Sequence, residues 1–110
     1  MALKIVDEIL ELAVLIERVA KQVHGHNTEL AGQLSRAWCR TATGAGEGQH
    51  RRGAKGRNRL DDAKGEAKEA LVALRYARIC GYAEVDDELL DRVDQVVAIL
   101  YTLAHRPKRR

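Results

Sequence analysis

The 110-residue chain contains no phenylalanine, one proline, one tryptophan and a single serine, and aromatic residues make up only 4% of it. No alternating β-branched run is bounded by turn residues, which excludes a sheet as the framework. The one proline, Pro107, leaves helices uninterrupted along nearly the whole chain. Ser35 stands beside Arg36 with no base placed for it, so no nucleophile–base–orienter set can be assembled and an enzyme is not expected. The two cysteines, Cys39 and Cys80, lack metal-ligand spacing. They are expected to be buried free thiols in a reducing cytoplasm. The apolar run at 12–16 is too short, and too closely flanked by Glu11, Glu17 and Arg18, to span a bilayer. The N-terminal residues turn acidic at Asp7 and Glu8, which is not the pattern of a secretory leader.

Alanine, leucine, valine, glutamate, lysine and arginine dominate instead, and these are helix-forming choices. The length fits one domain with a modest core. Apolar residues recur at the helical period in four segments. The first covers about 3–23, with a stripe of Ile5, Ile9, Leu12, Ala13, Ile16, Val19, Ala20 and Val23. Gly25 marks its stop, and Asn27 or Thr28 is a suitable cap for the next segment. That second segment spans about 29–47, with Leu34, Ala37, Trp38, Thr41 and Ala45 facing inward and Gln33, Arg36, Arg40 and Glu47 outward. The third starts between 57 and 60 and ends at Cys80 and Gly81, with an alanine-rich inner face. The fourth is capped by Asp86 or Asp87, carries a stripe of Val85, Leu89, Leu90, Val93, Val96, Val97, Leu100 and Leu103, and ends near His105. Similar lengths and short connections predict an all-α, antiparallel up-down four-helix bundle over residues 1–105, followed by a basic tail at 106–110. Leu3, Leu10 and Val14 on the first helix and Val72, Tyr76 and Ile79 on the third lie off the main stripes, so more than the protomer core needs covering.

Charge is unevenly distributed. The formal net charge is +3, but residues 50–59 hold Arg51, Arg52, Lys55, Arg57 and Arg59 and no acid. Residues 84–94 hold six acids against Arg92 alone, and the tail holds four bases. A basic loop at 48–57, joined to a helix carrying Arg36 and Arg40, points to a polyanion. Arginine's planar fork suits phosphate oxygens, and no aromatic residue is interleaved to stack on bases. The candidate nucleic-acid contacts are therefore Arg36, Arg40, Arg51, Arg52, Lys55, Arg57 and Arg59. The alternative is an adaptor whose basic loop pairs with the acidic 84–94 stretch of a neighbouring subunit and which binds a protein.

Other motifs carry less. The glycine series from Gly44 to Gly48 lacks the strand and the Gly-Lys-Ser/Thr of a phosphate-binding loop, and it permits either close helix packing or fraying into the basic loop. His24 and His26 sit in a turn without further ligands, so neither a metal nor a cofactor is expected.

Gln33-Leu34-Ser35-Arg36-Ala37, Ala45-Gly46-Glu47-Gly48, Arg51-Arg52, Ala63-x-Gly65 with Glu69, and Gly81-Tyr82 together give the chain a resemblance. It resembles the bacterial four-helix-bundle proteins that include the ribosomal RNA intervening-sequence proteins and the accessory variability determinants of diversity-generating retroelements. Thr41, Thr43 and Gly44 depart from that pattern. The resemblance implies a homopentameric ring that binds RNA and DNA and partners a reverse transcriptase. Arg36, Glu47, Gly48 and Arg51 or Arg52 are the positions that match recurrent family residues.

Overall fold

Four α-helices make up the computed structural model, which describes residues 2–51 and 53–105: α1 (Ala2–His24), α2 (Thr28–His50), α3 (Gly53–Ile79) and α4 (Asp87–Ala104). Arg52 and the basic tail 106–110 lie outside the described residues, and no strand occurs among those described. α1 packs on α2, α2 on α3 and α3 on α4, while α4 meets α1 less extensively. This order puts α1 and α3 at opposite corners of a bundle measuring 51 × 23 × 18 Å.

The predicted stripes build the core. Ile9, Leu12, Ile16, Leu34, Trp38, Leu74, Val93, Val96 and Leu100 are almost completely buried. Burial of each large side chain is worth about 1.5–3 kcal/mol. Trp38, the only tryptophan, donates its indole N–H to the Ile9 carbonyl of α1 at 2.8 Å, so its one polar atom is satisfied inside the core. Thr41 is buried by returning its hydroxyl to the Ala37 carbonyl at 2.8 Å.

The helix ends follow local chemistry. Asn27 caps α2 by accepting from the Leu30 N–H at 2.9 Å, and Asp86 caps α4 by accepting from Leu89 at 2.8 Å. Gly81, at φ +74°, closes α3. The Tyr82 N–H reaches the Ala77 carbonyl and the Gly81 N–H reaches that of Arg78, a pairing open to glycine at this left-handed position. The sparser α1–α4 seam is held by Arg92, which donates to both oxygens of Glu8 at 3.0 Å and to Glu11 at 2.9 Å. The hydrogen bonds to Glu8 and then Glu11 raise the guanidinium above its ordinary value.

Two expectations are corrected. Cys39 and Cys80 are free but exposed, not buried. Cys39 lies a full helical step past Trp38, off the core stripe, and Cys80 follows the last buried residue of α3. The expected basic loop is also absent. α2 continues to His50 and α3 begins at Gly53, so the helices run almost to the tip of their hairpin.

Candidate nucleic-acid interface

Glycine lets the α2–α3 hairpin close this far. A Cβ at position 48 would sit 2.7 Å from the Leu60 side chain, and one at 44 would sit 3.2 Å from the Ala63 Cβ. At position 56 it would overlap the Arg51 carbonyl oxygen, which is backbone and has little freedom to yield. Gly44 and Gly48 therefore pack closely while Gly46 faces open space, and the series stays helical to His50 instead of fraying. Close packing overrides the poor helix propensity of glycine, which is why the helix ends in this region were not legible from propensity alone. Gly53 turns the chain at φ +70°, where an L side chain is strained.

This hairpin collects part of the predicted set. Arg51 is the extended C-cap of α2, its N–H donating to the Glu47 carbonyl at 3.1 Å. Lys55, Arg57 and Arg59 lie on the first two turns of α3. Arg51, Lys55 and Arg59 are exposed and Arg57 is half-buried. Among the described residues, no carboxylate lies within ion-pair distance of Arg51, Lys55 or Arg57. Arg59 reaches Glu47 at 3.7 Å, with both side chains about half exposed. Such a pair holds its partners weakly.

Arg36 and Arg40 are not brought into this cluster. By helix rise they lie about 22 and 16 Å below Arg51. The Arg36 guanidinium folds back over Gly32, one turn toward the start of α2. Arg40 borders a shallow groove between α2 and α3 that also holds the acids Glu47, Asp61, Asp62, Glu66 and Glu69 and the bases Arg59 and Lys64. Its surroundings are therefore mainly acidic. The 62, 66, 69 spacing of those α3 acids is visible in the sequence as one helix face, but that this face shares a groove with Arg40 is a property of the fold.

The acidic stretch is distant from the hairpin. Arg78 binds Asp87 at 2.8 Å, which ties the start of α4 to the end of α3. Arg59 and Arg78 are separated by about 28 Å of helix. The hairpin bases are thus not neutralised by the acids at 84–94 of their own chain. Among the described residues no three His, Cys, Asp or Glu side chains converge as metal ligands, and no helix is long and apolar enough to cross a membrane.

No protein-family model matches the chain, and no curated protein matches it in sequence. One solved structure is similar in fold: a protein of unknown function from the S23 ribosomal protein family of Bacteroides thetaiotaomicron. The two superpose with a TM-score of 0.69 at 21% identity, over 91% of this chain and 94% of the other. At that identity the likeness establishes a shared all-helical fold, reached by two distant sequences.

Proposed function

We propose that this protein is a non-catalytic, oligomeric nucleic-acid-binding accessory protein whose α2–α3 hairpin engages the phosphate backbone of RNA or DNA. The observation that carries this reading is the group of hairpin bases, Arg51, Lys55, Arg57 and Arg59, gathered at one end of the bundle with a single weak acidic partner between them among the described residues. Arg52 adds a fifth base in sequence. Contacts of this kind neutralise phosphates and release counterions, so binding is salt-sensitive and weakly sequence-specific. Arg36 and Arg40 flank the site and contribute less.

The protomer in this reading is an up-down antiparallel bundle. The contacts Glu17–Ser35, Ile9–Trp38 and Glu47–Arg59 support it, since rising numbers on one helix meet falling numbers on the next. The assembly is a homopentameric ring. Leu10 and Val14 on α1 and Val72, Tyr76 and Ile79 on α3 are half exposed or more, on opposite corners of the bundle. Two different apolar patches at opposite corners favour head-to-tail contacts, which give a ring when the rotation between neighbours closes. Repetition of the hairpin around a ring multiplies its charge and raises avidity. The resemblance of the chain to retroelement accessory proteins, and its structural likeness to a protein assigned to a ribosomal-protein family, support a nucleic-acid setting. A reverse transcriptase or another nucleic-acid enzyme is the corresponding protein partner.

Filter binding to structured RNA and duplex DNA across a salt series tests the proposal. Affinity is expected to fall steeply with salt, by about 0.7–0.9 log units per log unit of salt for each phosphate contact. Flat salt dependence, or no binding at low salt, would reject it. Light scattering tests the ring, with an expected mass five times the 12.3 kDa protomer.

A further inference from the structure

The last turn of α4 carries an aromatic pair that the hairpin reading does not use. Tyr101 and His105 are four residues apart, their ring centroids are 4.2 Å apart, and their planes are inclined by 23°. Tyr101 retains 48% of its surface exposure and His105 is exposed. His105 is fixed as the C-cap of α4: its N–H donates to the Tyr101 carbonyl, and its Nδ1 lies 2.9 Å from the same oxygen. From α3, Lys64 places its Nζ 5.6 Å from the Tyr101 ring centroid while pairing with Asp61 at 3.1 Å. Lys64 is about 8 Å further along α3 than Arg59 and lines the same groove, so the rings stand beside the α3 side of that groove, in the hairpin half of the molecule. Exposed, pre-stacked rings beside a cation and adjoining a phosphate-binding surface are the elements with which proteins hold unpaired bases.

We propose that Tyr101 and His105, flanked by Lys64, form a stacking site for an unpaired nucleobase of a single-stranded nucleic acid whose backbone lies on the α2–α3 hairpin. This rests on the nucleic-acid reading given above and adds a ligand class to it. The hairpin charges recognise any polyanion, whereas the rings select strands whose bases are free. The two halves come from α3 and α4, which explains why the aromatic component is invisible within the basic segment itself.

The test compares an oligodeoxyadenylate with an abasic deoxyribose-phosphate oligomer of equal length, both read by fluorescence anisotropy against the full chain. The two probes carry the same phosphate charge and differ only in their bases. The unmodified protein is expected to bind the oligodeoxyadenylate about tenfold more tightly. In Tyr101→Ala/His105→Ala that preference is expected to vanish while affinity for the abasic oligomer stays the same. Tyr101→Leu/His105→Gln keeps side-chain bulk at both positions while removing the rings, and it is expected to behave identically. Equal affinity for both probes in the unmodified protein, or a preference that survives in both double variants, would overturn the site. Failure of the hairpin reading is separately visible, as abasic-oligomer binding that persists when Arg51, Arg57 and Arg59 are replaced by glutamate.

Discussion

Arg36 and Arg40 in the middle of α2, and Arg51, Lys55, Arg57 and Arg59 around its hairpin with α3, belong to one continuous stretch of sequence but occupy different electrostatic settings. Arg40 shares a groove with Glu47, Asp61, Asp62, Glu66 and Glu69, which Arg59 borders from the hairpin side and Lys64 from α3, and Arg36 lies back on its own helix over Gly32. The hairpin bases stand at an end of the bundle where Glu47 is the one carboxylate paired with them among the described residues. Residue type is therefore a poor guide to polyanion binding here. The sign of the opposing helix face decides whether an arginine presents net positive potential or is offset by its neighbours.

The largest effect is expected from removing the hairpin side of this contrast. Arg51→Glu, Arg57→Glu and Arg59→Glu together should lower affinity for RNA or DNA at low salt by about a hundredfold or more and flatten the salt dependence. These side chains lie outside the buried core, so helicity and light-scattering mass should be retained. Unchanged affinity in a folded variant would remove the distinction between the two groups.

The hairpin can also be disturbed without touching a charge. Gly56→Ala places a methyl group against the Arg51 carbonyl oxygen. Denaturant unfolding should show a loss of about 3 kcal/mol, at the upper end of overpacking effects. Nucleic-acid affinity should fall with it if the turn must hold Arg51 in place. Gly46 and Gly65 are helical as well, yet a Cβ at either meets nothing within 4 Å. Gly46→Ala or Gly65→Ala should instead stabilise the protein by about 0.8 kcal/mol each, the helix-propensity difference. If all three substitutions destabilised alike, the close approach at the hairpin would not be what sets position 56 apart.

Much of the architecture could be read directly from the chain. The stripes of α1 and α4 and the glycine stop at Gly81 follow from periodicity and local chemistry, and each cap was legible to within two neighbours, Asn27 or Thr28 and Asp86 or Asp87, of which the fold uses the first. The hairpin was less legible, because Gly44, Gly48 and Gly56 argue against helix until their contacts with Ala63, Leu60 and Arg51 are known. The exposure of Cys39 was hidden for a related reason: a small side chain beside Trp38 looks apolar, and only the angular step between the two separates surface from core. At the candidate site the positive residues were legible as a group. Their division into two sets was not, since it depends on α3 acids reached through tertiary packing.

That division makes the smallest expected effect the most discriminating one. Arg36→Gln with Arg40→Gln removes two positive charges, nominally a loss comparable to removing two bases at the hairpin. If the opposing carboxylates at Glu66 and Glu69 already offset this region, affinity for RNA or DNA should change by less than about twofold and the salt slope should stay nearly constant. Exposed α2 positions tolerate glutamine with little change in stability, so the comparison is made on a folded protein. A fall in slope equal to that of Lys55→Gln with Arg59→Gln would show that phosphates run along the side of α2 as well as across its end. The binding surface would then extend over the groove, with the polyanion displacing Arg40 from its acidic surroundings.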